Sequence, residues 1–259
     1  MTAGVAASYR MVIAYDGTRY HGWQAQPQVA TVQGELSRAL TELTGETPWI
    51  KAAGRTDAGA HAHGQVISFS LASAWTPAAL AGGCNARLPE DIGVLETALA
   101  GSDFHPRRQA WRRTYRYLIR DAAAPDPVER QYEWRIPREL ELTPMRSAAR
   151  LLPGTHDFAA FGSSPLPSGS TTRTVDRAEI ERHGRVVTLE VRADAFLRGM
   201  MRNFAGALVA VGTGRASPTD LASALADPVG ATRKWGTAPA HGLHQWQVQY
   251  RAPAAEVQT

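Results

Sequence analysis

Short runs of β-branched and aromatic residues alternate with amphipathic helical patterns along this chain, and that alternation constrains its fold most tightly. Residues 9–15 read as a strand stopped by the turn signal Asp16-Gly17. Thr31 can cap a helix that puts Val32, Leu36, Leu40 and Leu43 on one face, and Gly45 can end it. Residues 65–71 alternate as a second strand, Thr76-Pro77 opens a second helix, and a strand follows over 91–96. The second half alternates likewise, with strands over 111–120 and 132–136, a loop over 121–131 between them, then a helix from Thr143-Pro144 to 152. A hairpin over 177–192 turns about His183-Gly184, and a helix over 196–211 buries Met200, Phe204, Ala207, Leu208 and Val211. Ser217 with Asp220 reads as a capping box for a short helix to 226, 245–251 is a last strand, and 252–259 a frayed tail. The segment 162–174, rich in Ser, Pro and Gly, is expected to be a flexible loop. The order predicts two related α+β units, 1–105 and 106–259.

The 44% apolar and 20% charged composition is that of a globular chain. Cys84 stands alone, so no internal disulfide is possible. Residues 1–8 lack the features of a signal peptide. The longest membrane-like run, 204–211, falls well short of the roughly 18 apolar residues a spanning helix needs. The expectation is a cytoplasmic protein away from membranes. A net charge of +4 says little, but Arg107, Arg108, Arg112, Arg113, Arg116 and Arg120 crowd one stretch with Trp111, Tyr115 and Tyr117. Arginines among aromatics suit phosphates and unstacked bases, and equally a solvated strand face.

Polar chemistry concentrates in 54–65, Gly-Arg-Thr-Asp-Ala-Gly-Ala-His-Ala-His-Gly-Gln. Asp57-Ala-Gly alone reads as a turn. On extended backbone, however, Arg55 shares a face with Asp57, where a guanidinium would keep the carboxylate ionised. His61, His63 and Asp57 could in principle supply three metal ligands, but the chain has one thiol and no H-E-x-x-H pair, and no metal is expected. Phosphate-binding glycine loops and the G-x-S-x-G elbow of serine hydrolases are missing too.

The segment 53–65 resembles the catalytic signature of the TruA family of tRNA pseudouridine synthases. The resemblance continues in order through Tyr15-Asp16-Gly17-Thr18, Gly22-Trp23-Gln24, Thr31-Val32-Gln33, Asn85-Ala86-Arg87-Leu88-Pro89 with Asp91-Ile92, and Phe104-His105-Pro106-Arg107. It resumes at Arg113-Thr114-Tyr115-Arg116-Tyr117, Gly154-Thr155-His156-Asp157-Phe158, Phe196-Leu197-Arg198-Gly199-Met200-Met201-Arg202-Asn203, and Gly242-Leu243 before Val248-Gln249-Tyr250.

The resemblance implies an α+β protein of two ferredoxin-like domains, with a mixed, largely antiparallel sheet and a basic catalytic cleft. It implies isomerisation of uridine to pseudouridine at positions 38–40 of the tRNA anticodon stem-loop, by a homodimer and without a cofactor. Asp57 matches the essential carboxylate. Attack at C1′, attack on the base and assisted elimination each need it ionised in a preorganised pocket. Tyr115 matches a tyrosine that packs on the target base. Arg202 matches a cleft arginine that would pair with Asp57 or a substrate phosphate, with Arg198 one helical turn before it and Arg55 the competing partner. Phe104, His105, Pro106, Arg107 and Arg108 match one tRNA-contacting stretch, and Ser170, Thr171, Thr172, Arg173 and Thr174 another. Departures at Ala60, Pro106 and His244-Gln245 bear on substrate fit rather than on reaction class.

Overall fold

A computed structural model describes residues 6–164 and 169–251. The described residues divide into two compact units, one of residues 6–112 with 246–251 and the other within 113–245. The first unit runs to Arg112, beside the expected boundary at 105/106, and also takes in the end of the last strand.

The first unit contains β1 (Ala7–Tyr15), α1 (Val32–Thr44), β2 (Lys51–Ala52), β3 (His61–Leu71), α2 (Pro77–Asn85) and β4 (Ile92–Ala100). Its strands run β4-β1-β3, with β2 beside β3, and every pairing is antiparallel. A β-α-β-β-α-β chain in that order is a ferredoxin-like unit. Alternation along β1 sends Tyr9, Met11, Ile13 and Tyr15 to one face, where they meet Ile67, Phe69 and Leu71 of β3. Val32, Leu36 and Leu40 of α1 and Leu80 and Cys84 of α2 close this core. The expected caps of α1 are present: Thr31 Oγ1 accepts from Gly34 N, and Gly45 ends the helix at φ +74°.

The second unit contains β5 (Ala110–Asp121, from Arg113 on), β6 (Trp134–Ile136), α3 (Leu142–Ala149), β7 (Gly154–Asp157), β8 (Thr172–His183), β9 (Val186–Ala193), α4 (Met200–Gly212) and α5 (Pro218–Ala226). Strand β10 (Leu243–Tyr250) crosses from this unit into the first. The order is β5-β9-β8-β7, antiparallel throughout, and β6 pairs with β5 in parallel. The α+β class and the mostly antiparallel pairing agree with expectation. The capping box of α5 is also present, with Ser217 and Asp220 satisfying each other's backbone N–H.

Three expectations need correction. Helix α4 starts at Met200 rather than at 196, because Gly199 takes φ +75° and breaks the run. Arg198 is therefore not a helical neighbour of Arg202; its backbone exchanges hydrogen bonds with Ser163 instead. Helix α3 is capped at Glu141, not Thr143, and ends at Ala149 in a tightened turn where Leu151 and Leu152 donate to carbonyls three residues back. Residues 172–174 are strand rather than loop: β7 pairs with them in register, and Thr155 and Thr174 join hydroxyls at 2.9 Å. Residues 165–168 of the expected loop and the tail 252–259 lie outside the described residues.

Candidate active site

Asp57 opens a four-residue turn in which Ala60 N donates to Asp57 O at 3.1 Å and Gly59 takes φ +80°. A left-handed third position calls for glycine, so the local Asp-Ala-Gly is a turn, as its residues alone suggest. Asp57 is half-buried in this turn, and Arg55 is exposed.

The surroundings set this turn apart from an ordinary surface loop. Thr56, just before Asp57, is buried and held twice: its carbonyl accepts from Trp23 N at 3.1 Å, and its hydroxyl lies 2.9 Å from that of Tyr15. Gly59 N donates to Tyr20 O, and Gln65 Nε2 donates to Gly54 O at 2.9 Å. Gly17 N donates to His61 Nδ1 at 3.1 Å, with Asp16 Oδ1 at 3.1 Å from the same nitrogen. A side chain on Gly17 would sit 1.9 Å from Ala60 O, and one on Gly22 would sit 2.7 Å from Thr56 O. The backbone of 17–22 therefore lies directly on that of 56–60, and two glycines make this approach possible.

That clasp is itself braced. Asp91 accepts from the Tyr20 hydroxyl at 2.5 Å and pairs with Arg19 at 2.6 Å. Burial and the facing Asp91 carboxylate both push the Tyr20 hydroxyl pKa upward, so Tyr20 stays a donor. The buried Gln33 side chain, at the start of α1, accepts from Ala25 N and donates to Ile50 O. Asn85 pairs both ways with the Val94 backbone, fixing the segment that carries Asp91. Most of these residues sit in the motifs quoted above, yet nothing in their spacing shows that they converge on one loop.

The two histidines do other work. His61 Nδ1 accepts from Gly17 N, and the exposed His63 ring packs against Trp246 at 4.4 Å. Among the described residues no group of three or more His, Cys, Asp or Glu could hold a metal ion.

In the second unit Tyr115 is buried on β5, and its ring meets Phe196 edge-on at 4.7 Å. Arg202, half-buried on α4, donates from Nε to Ala238 O at 2.7 Å, while Ala238 N donates to Arg202 O. Tyr117, two residues beyond Tyr115, donates to Pro239 O at 2.7 Å, and burial raises its pKa. The segment 238–239 is thus fixed from both α4 and β5. Arg116 pairs with Glu190 at 2.8 Å and Arg120 with Glu133 at 2.6 Å. These two members of the arginine run balance carboxylates within their own unit.

The first expected tRNA-contacting stretch is preformed. Pro106 O accepts from the Tyr250 hydroxyl at 2.8 Å, Phe104 packs on Tyr250 at 5.2 Å, and His105 Nδ1 faces the backbone N–H groups of Arg107 and Arg108. Both arginines are exposed. In the second stretch Thr171 O accepts from Phe158 N, Thr172 N donates to the exposed Ser170 hydroxyl, and Arg173 donates to Ser170 O at 2.9 Å.

A sequence model of the tRNA pseudouridine synthase family matches residues 11–107 and 148–251. The chain belongs to this family. Asp57, Arg55 and Arg202 lie inside the matched segments, whereas Tyr115 and Arg108 lie in the interval between them. Among relatives, tRNA pseudouridine synthase A of Pelobacter propionicus is 40% identical over 242 residues, covering 93% of this chain and 98% of the relative. That of Moorella thermoacetica is 42% identical over 249 residues, with 93% and 98% covered. That of Sinorhizobium medicae is 38% identical over 247 residues, with 93% and 99% covered. Among the described residues no helix is long and apolar enough to cross a membrane.

Proposed function

We propose that this member of the family converts uridine to pseudouridine at positions 38–40 of the tRNA anticodon stem-loop, with Asp57 as its catalytic carboxylate. In that reaction the N1–C1′ bond breaks, the uracil turns, and a C5–C1′ bond forms. C5 loses its proton to solvent and N1 takes one up, so the change is redox-neutral. Asp57 acts on the ribose or the base as the ionised group. Tyr115 packs on the target base, and Arg55 and Arg202 hold Asp57 or a substrate phosphate. The stretches 104–108 and 170–174 contact the tRNA backbone, and a homodimer presents one tRNA to both subunits.

The observation that carries this reading is the immobilisation of the Asp57 loop by Tyr15, Tyr20, Trp23 and Gln65. A carboxylate that works by position gains from such preorganisation, which a solvated surface turn would not need. Tritium release from tRNA carrying 5-³H-uridine tests it. Wild type is expected to release tritium and Asp57→Ala to release none while keeping its melting temperature. An inactive wild type on every tRNA, or a fully active variant, overturns the proposal.

A further inference from the structure

On the first unit, away from the Asp57 loop, the sheet face opposite the helices carries a cavity of about 250 Å³ bordered by Ser8, Trp49, Lys51, Ser68, Ser70 and Phe104. Its floor follows from register. Ser8 pairs with Ser70 across β1 and β3, and Lys51 of β2 pairs with Ser68. Directly opposite residues hold their side chains on one face about 5 Å apart, so hydroxyls and an ammonium group are brought together. Ser8 and Ser70 join hydroxyls at 2.8 Å. One wall is Phe104, itself backed by Tyr250 at 5.2 Å.

The rim is unusual. Trp49 is 77% exposed, although a tryptophan this close to a core normally buries its ring. Lys51 is exposed and, like Arg108, has no carboxylate partner among the described residues. Lys51 also stands near the 104–108 stretch, because it acts together with Arg107 and Arg108, and with burial, to lower the pKa of His105. One cation, Lys51, thus borders a hydroxyl floor and an exposed indole face, next to the stretch that carries Arg107 and Arg108.

An apolar ligand would not want the seryl floor, and a simple anion would not need the indole. Both features together fit a nucleotide: the base stacks on an aromatic ring, the hydroxyls take its polar edge or ribose, and the ammonium takes phosphate. We propose that this cavity holds an unstacked nucleotide of the bound RNA, distinct from the target uridine, with Trp49 as its stacking platform and Lys51 as its phosphate contact. The inference rests on the functional reading above for the identity of the RNA.

The test is a fluorescence-anisotropy titration of labelled, unmodified tRNA with the full chain and with Trp49→Ala, Trp49→Phe, Lys51→Ala and Lys51→Arg. Trp49→Ala is expected to raise Kd by about 5- to 160-fold, given the usual worth of one base stacked on an aromatic ring, and Trp49→Phe to recover most of it. Lys51→Ala should reduce the slope of log Kd against log salt by about 0.7, the share of one single-strand phosphate, and Lys51→Arg should restore it. Both side chains lie at the surface, so melting temperatures should stay together. Unchanged Kd and salt slope in the two alanine variants overturn the inference. The titration needs no turnover: an inactive wild type counts against the functional reading alone, and an unaffected Kd against this site alone.

Discussion

The hydroxyls of Tyr15 and Thr56 lie 2.9 Å apart in a buried setting, tying the end of β1 to the residue that precedes Asp57. Removing the tyrosine hydroxyl leaves that of Thr56 buried without its partner. Such a group costs about 1–3 kcal/mol. Tyr15→Phe is therefore expected to lower stability by about 1 kcal/mol in urea denaturation. If Asp57 acts by position, the same change should lower kcat by about tenfold while leaving tRNA Kd unaltered, since small displacements of a reacting group cost rate steeply. A variant that loses stability but keeps kcat would show that the clasp is structural only.

The close approach of Gly17 to Ala60 gives a sharper prediction. A methyl group at Gly17 would meet Ala60 O at 1.9 Å, and the obstacle is backbone, which cannot rotate away. Gly17→Ala is expected to cost about 3 kcal/mol or more, the upper range for overpacking. Gly82 offers the contrast: it lies inside α2 with nothing within 4 Å of an added Cβ. Gly82→Ala should raise stability by about 0.5–1 kcal/mol by relieving the entropy cost of a helical glycine. Thermal melts of the two variants side by side decide the matter, and equal shifts would refute the backbone contact.

What can be read in the sequence is local. The Thr31 cap, the Gly45 stop and the Ser217–Asp220 box each depend on residues within one turn, and all three stand where their spacing places them. The start of α4 is hidden because Phe-Leu-Arg-Gly-Met-Met continues the apolar pattern, and only the left-handed Gly199 breaks it. Strand β7 escapes notice because its partner lies 19 residues away, from Thr155 to Thr174, inside a stretch whose Ser, Thr and Gly suggest a loop. The candidate site shows the same divide. Asp57 can be singled out from its neighbours, whereas the fixation of its loop by Tyr15, Trp23 and Tyr20 joins residues 33 to 41 positions apart and leaves no periodic trace.

Cys84 is fully buried in the core of the first unit, and burial pushes its thiol up to about 11, with Arg87 opposing. The thiolate is the reactive form, so both access and charge are withheld in the native state. At pH 8 the native protein is expected to leave a disulfide reagent such as Ellman's unreacted, and to release one equivalent of chromophore once unfolded in urea. Rapid native labelling would mean that α2 opens readily from its sheet.

His105 reports on the cations around it. Burial, Arg108, Lys51 and Arg107 all lower its pKa from the usual 6.5. The sign follows: a histidine harder to protonate when folded adds stability above about pH 6.5, and that contribution is lost as pH falls through the lower folded value. Its Nδ1 faces the backbone N–H groups of Arg107 and Arg108, which is an acceptor's role that only the neutral ring can play. Phosphates bound by Arg107 and Arg108 would offset the surrounding positive charge, so the His105 pKa, followed by NMR, should rise when tRNA binds. Arg107→Ala with Arg108→Ala should weaken tRNA binding and reduce the salt slope by about 1.4 to 1.8, two phosphates' worth. In that double variant the free protein should show a higher His105 pKa, and tRNA should move it less. An unchanged salt slope with an unmoved His105 would remove both arginines from the RNA-binding surface.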